Sequence, residues 1–231
     1  MPGIRFEWGP AGAAAIAPRA EVVAVVDVLS FTTAVTVAVE RGIRVLPFRW
    51  GAAEAVEAAR RHDATLAGGR SQAGGVSLSP SSILRSEGIE RLVLPSPNGS
   101  TIAAGLASTG ATVIGVSLRN ASAAAAWVGG RSVAVVAAGE RWEDGSLRPA
   151  VEDLWGAGAF LAALTDRQCS VEAWSALVAY ENAGDIDLGL RDCVSGRELI
   201  GRGFADDVAV AGQVDSSSVV PVLVDGWFVA A

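Results

Sequence analysis

Residues 22–33 read VVAVVDVLSFTT, and this stretch decides the fold class. The nearly continuous β-branched run at 22–28 predicts a buried strand that only Asp27 interrupts. Apolar residues at helical spacing follow over 30–40, with Ser30 as a natural N-cap candidate. A strand that passes through a short polar turn into a helix is the repeating unit of α/β proteins.

The same unit recurs along the rest of the chain. Further strands are predicted at 43–48, 91–94, 112–117, 132–138 and 219–224. Helices are predicted at 51–61, 100–107, 120–128, 150–164, 171–180, 195–201 and 206–211, with loops at 68–82 and 139–149. This alternation favours a parallel or mixed sheet that helices cover on both faces. No segment reads as a linker between two domains, so one domain over residues 1–231 is expected.

Composition excludes several classes of function. The net charge is −7, which disfavours nucleic acid as a partner because polyanions bind a basic face. All 18 basic residues are arginines, so Schiff-base and Walker-type lysine chemistry is excluded. A single histidine excludes zinc sites built on several imidazoles.

Neither a membrane span nor a signal peptide is apparent in the sequence. No apolar run approaches the roughly 20 residues that cross a bilayer. The first 20 residues lack a basic segment followed by an apolar one. We therefore expect a cytoplasmic protein that does not bind a membrane.

Asp27 marks the first candidate site, because ligands of α/β sheets bind beyond the carboxyl ends of strands. A buried carboxylate is costly unless it is paired, hydrogen-bonded or bound to a metal. Thr32 and Thr33 follow at a helix start, where backbone N–H groups favour anions. A helix cap with a hydrogen-bonded aspartate explains the same residues, and the sequence leaves both interpretations open.

Two further strand ends carry polar residues. Asn98 and Gly99 form a turn whose amides, together with the Ser100 hydroxyl, suit a phosphate group, although an ordinary turn has the same composition. Arg119 and Asn120 end another strand, where they either contact phosphate oxygens or begin the next helix.

Acidic residues gather near the start of the helix predicted at 150–164. Glu152 and Asp153 lie in its first turn, and Glu140 precedes them. Adjacent carboxylates at this position either bind magnesium through oxygen ligands or act as surface acids that favour the helix dipole. The spacing alone does not separate these two interpretations.

In order along the chain, these segments resemble the 2-phosphosulfolactate phosphatase family. The family segments V-D-V-L-R-A-T-T, L-A-G-E-R, N-S-P, T-T-N-G-T and G-S-x-x-N-A are similar to residues 26–33, 66–70, 78–80, 96–100 and 116–121. The family pairs A-G, E-D and A-G match residues 138–139, 152–153 and 157–158, and the segments 195–197 and 206–208 look like the family's tail. The resemblance covers about residues 21–222, which is most of the chain.

The resemblance implies a three-layer α/β/α fold with a mixed, largely parallel central sheet. It also implies a Mg²⁺-dependent phosphatase that hydrolyses the phosphate ester of a small 2-hydroxy acid and acts in coenzyme M biosynthesis. A homodimer is expected by the same analogy. On this basis Asp27, Arg70 and Asn98 are expected to be catalytic, and Mg²⁺ is expected at Asp27, Glu152 and Asp153, directly or through water. The expected substrate-binding residues are Thr32, Thr33, Gly99, Ser100, Arg119 and Asn120.

Three positions depart from the family pattern. Ser30 stands where an arginine usually follows Val-Leu, Gly69 replaces the glutamate before Arg70, and Leu78 replaces the asparagine of Asn-Ser-Pro. These changes lie at expected ligand contacts. They leave open an alternative, a catalytically diverged small-anion-binding or regulatory protein on the same fold.

Overall fold

The computed structural model describes residues 3–49, 53–70, 75–164 and 168–231. Nine strands of these residues form one sheet, and two more form a separate hairpin. The strands are β1 (Ile4–Trp8), β2 (Val22–Val26), β3 (Arg44–Arg49), β4 (Thr65–Leu66), β5 (Arg91–Ser96), β6 (Thr112–Val116), β7 (Val133–Ala137), β8 (Glu140–Arg141), β9 (Leu147–Arg148), β10 (Pro221–Val224) and β11 (Trp227–Ala230). The separate hairpin consists of β8 and β9.

The large sheet contains two groups of parallel strands. Its order is β1-β7-β2-β6-β10-β11-β3-β5-β4. Strands β1, β7, β2 and β6 are parallel to one another, as are β3, β5 and β4. Between the groups, β10 and β11 pair antiparallel with each other and with β6 and β3, so the two groups run in opposite directions. The prediction of a mixed, largely parallel sheet is confirmed.

Helices cover both faces of this sheet. They are α1 (Gly9–Ile16), α2 (Phe31–Glu40), α3 (Glu54–Arg61), α4 (Pro80–Arg85), α5 (Gly99–Leu106), α6 (Ala121–Val128), α7 (Val151–Ala163), α8 (Val171–Glu181), α9 (Ile186–Asp192), α10 (Val194–Gly201) and α11 (Ala205–Ala211). The core under α6, α7 and α8 is distinct from the core under α1, α2 and α5. The three-layer α/β/α prediction is therefore confirmed.

The sequence of strand β2 does not alternate between apolar and polar residues because both faces of the strand are buried. Val22, Ala24 and Val26 contribute to the core under α6 to α8, whereas Val23 and Val25 contribute to the opposite core. Successive strand residues point to opposite faces of a sheet. A strand between two helix layers is therefore apolar throughout.

Two glycines let helix α7 approach its neighbours closely. A Cβ at Gly156 would lie 2.5 Å from the side chain of Val28, and one at Gly158 would lie 2.3 Å from the carbonyl oxygen of Ala176. Larger residues at these positions would push α7 away from the end of β2 and from α8. The close packing places the acidic first turn of α7 against the end of β2.

Several short elements were not predicted from the sequence. Strand β1 and helix α1 precede the first predicted strand, α9 precedes α10, and β11 follows the last predicted strand. Helix α4 begins inside the predicted loop 68–82, and β8 and β9 lie inside the predicted loop 139–149. Elements this short carry few periodic positions, so tertiary contacts rather than local pattern determine them. Residues 51–52 of a predicted helix and residues 71–74 of a predicted loop lie outside the described residues.

A helix that crosses a lipid bilayer needs about 20 predominantly apolar residues. None of the described helices combines the length and the apolar character that a membrane crossing requires.

Candidate active site

A cavity of about 1010 Å³ opens beside the residues that follow β2, β5 and β7. Acidic, basic and apolar side chains line it together. Those that matter for the chemistry are Asp27, Ser30, Arg70, Asn98, Glu140 and Arg148. The expected catalytic residues Asp27, Arg70 and Asn98 thus lie at one cavity.

Asp27 follows β2 directly and is 6% exposed. Its Oδ1 accepts a hydrogen bond from the N–H of Phe31 at 3.0 Å, and its Oδ2 accepts one from the N–H of Gly99 at 2.8 Å. Burial raises the pKa of Asp27 and the charge of Glu152 adds to this, while the two N–H donors and Arg70 oppose it. The carboxylate therefore accepts a hydrogen bond from the first residue of α2 and also lines the cavity.

The turn after β5 reaches Asp27 because residue 99 has no side chain. A Cβ at Gly99 would lie 2.7 Å from Oδ2 of Asp27 and 2.6 Å from the ring of Phe31. Beside it, Asn98 is buried and donates from Nδ2 to Oε2 of Glu140 at 2.8 Å. The Asn-Gly pair therefore joins the end of β5 to acidic residues that follow β2 and β7.

Asp153, in the first turn of α7, holds two strand ends together. Its Oδ1 accepts from the N–H of Val28 at 2.7 Å, and its Oδ2 accepts from the N–H of Gly139 at 2.8 Å. Burial raises the pKa of Asp153 well above its ordinary value, and the charges of Asp27 and Glu152 raise it further. Asp153 therefore joins the backbone that follows β2 to the backbone that follows β7, next to the cavity-lining residues Asp27 and Glu140.

Glu152 is buried next to the thiol of Cys193. Burial, followed by the charge of Glu152, raises the pKa of Cys193 to about 12. The cysteine is therefore a neutral thiol at physiological pH, and nucleophilic catalysis requires the thiolate. The sequence agrees with this. A Cys-x5-Arg phosphatase has five residues between its cysteine and its arginine, whereas only three residues separate Cys193 from Arg197.

Glu140 adds a fourth carboxyl group to Asp27, Glu152 and Asp153. Its pKa is raised to about 7, chiefly by burial and next by the charge of Asp27, while the hydrogen bond from Asn98 acts in the opposite direction. Clustered carboxylates repel one another, and protons or a bound cation relieve that repulsion. A carboxyl group that titrates near neutrality is also suited to proton transfer.

These carboxyl groups suit Mg²⁺ in their chemistry, although they do not form a ready-made cage. Among the described residues, no three Asp, Glu, Cys or His side chains are grouped so that they could hold a metal ion. Mg²⁺ usually keeps several water ligands and takes only one or two protein carboxylates. Buried, mutually repelling acids at a cavity therefore fit a magnesium ion whose remaining ligands are water.

Arg70 brings positive charge to the same cavity. Its Nη2 donates to Oγ of Ser30 at 2.6 Å and to the carbonyl oxygen of Leu78 at 3.4 Å. Its Nε lies 3.4 Å from Oδ2 of Asp207, and its guanidinium carbon lies 5.6 Å from the ring centroid of Phe204. The side chain is thus held from three separate parts of the chain, because Phe204 and Asp207 both belong to the start of α11.

Three residues expected to bind the substrate make hydrogen bonds within the framework of the fold. The hydroxyl of Thr32 donates to the carbonyl oxygen of Asp27 at 2.8 Å, and that of Thr33 donates to the next carbonyl oxygen at 2.7 Å. The Ser100 hydroxyl donates to a carbonyl oxygen of β3. All three side chains are buried, and none lines the cavity described above. Their hydroxyl groups stabilise the two helix starts that carry Asp27 and Gly99.

Arg119 and Asn120 also lie away from the cavity lining. Arg119 is 5% exposed, donates to the carbonyl oxygen of Val210 at 3.2 Å and to Gln213, and pairs with Glu40 at 3.3 Å. Asn120 accepts at 2.8 Å from the N–H three residues earlier and closes a capping box there. The structure gives both residues structural partners, so the proposed site below does not include them.

Three residues at the site received no role from the sequence. The sequence indicates Glu140 only as part of an acidic stretch. Arg148 pairs with Glu140 in the register of the β8–β9 hairpin, which the predicted loop did not reveal. Asp207 contacts Arg70 across 137 positions of the sequence, and local patterns carry no signal for such a contact. Its place in the family-like segment 206–208 was the available hint.

The chain is similar to proteins of one known family over most of its length. A family model described as 2-phosphosulpholactate phosphatase matches residues 13–226. A curated protein of Deinococcus radiodurans, named probable 2-phosphosulfolactate phosphatase, is 33% identical over 223 residues, which cover 89% of this chain and 89% of that relative. The matched region includes every residue discussed above as part of the site.

Proposed function

This chain belongs to the 2-phosphosulfolactate phosphatase family, and we propose on that premise that it is a magnesium-dependent phosphatase. Its substrate is the phosphate ester of a small 2-hydroxy carboxylic acid such as 2-phosphosulfolactate. One observation carries the proposal. Asp27, Arg70 and Asn98 line a single cavity beside a cluster of buried carboxyl groups.

The residues proposed to hold Mg²⁺ are Asp27, Glu152 and Asp153, directly or through water. The bound ion supplies positive charge against the phosphoryl oxygens. Asp153 already uses both carboxylate oxygens for backbone hydrogen bonds, which suits it to orienting the site and to contact through water. Asp27 is the carboxylate of the three that lines the cavity.

Arg70 and Asn98 have different proposed tasks. Arg70 binds an anionic oxygen of the substrate, since a guanidinium group matches phosphate and carboxylate geometry. Asn98 orients the carboxyl group of Glu140 through its 2.8 Å hydrogen bond. Glu140 is then placed to carry a proton to or from a reacting oxygen.

A second candidate function is binding without hydrolysis. Ser30, Gly69 and Leu78, the three positions that depart from the family pattern, all line the cavity. Substitution there changes what the cavity contacts without disturbing the fold. A regulatory or small-anion-binding protein is therefore the alternative that this observation favours.

The two functions are separated by a phosphate-release assay. The substrates are 2-phosphosulfolactate, 2-phospholactate and 2-phosphoglycerate, each with Mg²⁺ and with EDTA. We expect Mg²⁺-dependent release from at least one of them. Binding of these esters by folded protein, without release of phosphate, would favour the alternative.

Three further expectations from the family stay predictions for this chain. They are a role in coenzyme M biosynthesis, a cytoplasmic location and assembly into a homodimer. Light scattering on the purified protein measures the mass in solution and tests the last of these directly.

A further inference from the structure

Asp207 is a fully buried carboxylate outside the acid cluster of the cavity. It lies in α11 and is 0% exposed. Its Oδ1 accepts from Oγ of Ser79 at 2.6 Å and from the N–H of Ser81 at 3.1 Å. These two hydrogen bonds satisfy Oδ1 and join α11 to the start of α4.

The other carboxylate oxygen is committed to Arg70. Oδ2 of Asp207 lies 3.4 Å from Nε of Arg70, and neither atom has a hydrogen-bond partner among the described residues. A buried charge is strongly unfavourable without a partner. The ion pair therefore fixes where the Nε edge of the guanidinium can lie.

The start of α11 contacts Arg70 twice. Phe204 and Asp207 are three residues apart, and both approach the guanidinium group. In the loop that carries Arg70, the two preceding residues are Gly68 and Gly69, and neither has a side chain that could pack against the guanidinium group. The Nε edge of Arg70 is therefore positioned from α11, while Ser30 and Leu78 accept hydrogen bonds from its Nη2.

We infer that Asp207 is a positioning residue, which holds the Arg70 guanidinium in the orientation that binds the anionic group of the substrate. The inference rests on the proposed function, because it assigns Arg70 to substrate binding. It adds that α11, far from Arg70 in the sequence, contributes to affinity without touching the substrate.

The test is Asp207→Asn, an isosteric change that removes the charge. We expect KM for 2-phosphosulfolactate to rise about tenfold while kcat stays within about twofold, the pattern of lost substrate binding. The affinity for inorganic phosphate, measured by titration calorimetry, should fall by a similar factor. Asp206→Asn is the matched control, because Asp206 is an exposed neighbour whose side chain pairs with Arg85 at the surface.

A double substitution separates positioning from general damage to the fold. In an Arg70→Ala background, Asp207→Asn should change neither KM nor phosphate affinity further. It should also raise Tm in that background, although it lowers Tm in the wild-type protein, because it then removes a buried charge that has lost its partner. If Asp207→Asn folds poorly, Asp207→Glu displaces the guanidinium while keeping the charge and should raise KM as well.

Each outcome bears on the inference. A folded Asp207 variant whose KM and phosphate affinity equal those of the wild-type protein would overturn the positioning role. A variant in which only kcat falls would overturn it as well. If the wild-type protein hydrolyses no ester but binds phosphate, and Asp207→Asn weakens that binding, the positioning role stands and the phosphatase proposal fails. Wild-type protein that neither hydrolyses esters nor binds phosphate would overturn both.

Discussion

The backbone N–H of Gly99 donates a 2.8 Å hydrogen bond to Oδ2 of Asp27, across 72 positions of the sequence. The two residues follow β5 and β2, which belong to strand groups that run in opposite directions. The bond therefore connects the two groups of the sheet beside the cavity. It requires a residue without a side chain at position 99.

Gly99→Ala should disrupt this connection. The new Cβ would lie within 2.8 Å of atoms of Asp27 and Phe31, so one of the two must move. We expect a loss of stability of about 1–3 kcal/mol from overpacking and a large fall in kcat/KM, because Asp27 loses its fixed position. Thermal unfolding and phosphate release measure the two effects.

Gly105→Ala is the control for that substitution. Gly105 lies in the same helix, and a Cβ there would meet nothing within 4 Å. Since alanine favours a helix over glycine, we expect it to stabilise the protein by about 0.5–1 kcal/mol with unchanged activity. If Gly99→Ala behaves as Gly105→Ala does, the close contact with Asp27 has no functional role.

Asp27→Asn should abolish both turnover and the stabilisation that Mg²⁺ gives. An ion that binds the folded state alone stabilises the wild-type protein by about 2.7 kcal/mol at 100 times its Kd. Calorimetric scans with and without Mg²⁺ measure this gain independently of activity. Asp192→Asn, at an exposed position, should keep the full gain. An equal Mg²⁺ effect in Asp27→Asn would place the ion elsewhere.

Glu140→Gln should change how the stability of the metal-free protein depends on pH. Burial is the main reason that the pKa of Glu140 is about 7 in the folded state against an ordinary value of 4.5; Asp27 and Glu152 raise it further, and Asn98 and Arg148 lower it. Between these two values the folded state holds more protons than the unfolded state. Its stability therefore falls as pH rises from about 4.5 to about 7.

Glutamine removes this part of the pH dependence and still accepts the hydrogen bond from Asn98. We expect Tm in EDTA to rise by about 2–4 °C at pH 8 and to change little at pH 4.5. Unfolding scans at the two pH values measure this difference. An unchanged pH slope, or a lower Tm at pH 8, would show that burial does not penalise the Glu140 carboxylate.

Arg119→Met should separate structural from substrate-binding arginines. It removes hydrogen bonds to Val210 and Gln213 and the pair with Glu40, so we expect a stability loss of about 1–3 kcal/mol. KM should remain that of the wild-type protein, whereas Arg70→Ala should raise it. A higher KM in Arg119→Met with little loss of stability would return Arg119 to the substrate site.

The sequence predicted those parts of the structure that depend on residues close together in the chain. The strand at β2, the helix that follows it and the turn at Asn98 and Gly99 each lie within a few residues, so periodicity and turn chemistry reveal them. Asp27 stood out because a carboxylate inside a buried strand needs a partner. Glu152 and Asp153 stood out as acids at a helix start.

The remainder depends on contacts that no local pattern carries. A Thr or Arg after a strand looks the same in the sequence whether it lines the cavity, as Arg70 does, or bonds to a backbone carbonyl, as Thr32 and Arg119 do. The pairing of Glu140 with Arg148 depends on a hairpin inside a predicted loop. The reversal of strand direction between the two parallel groups likewise comes from β10 and β11, which lie at the end of the chain.

The central proposal is tested most directly by the initial rate of phosphate release from 2-phosphosulfolactate. The rate is measured for the wild-type protein with saturating Mg²⁺ and with EDTA, and for Asp27→Asn with Mg²⁺. We predict release by the wild-type protein that requires Mg²⁺ and is lost in Asp27→Asn. Two results would contradict a magnesium-dependent phosphatase. One is phosphate release that is unchanged in EDTA, and the other is the absence of release by folded protein that binds the ester.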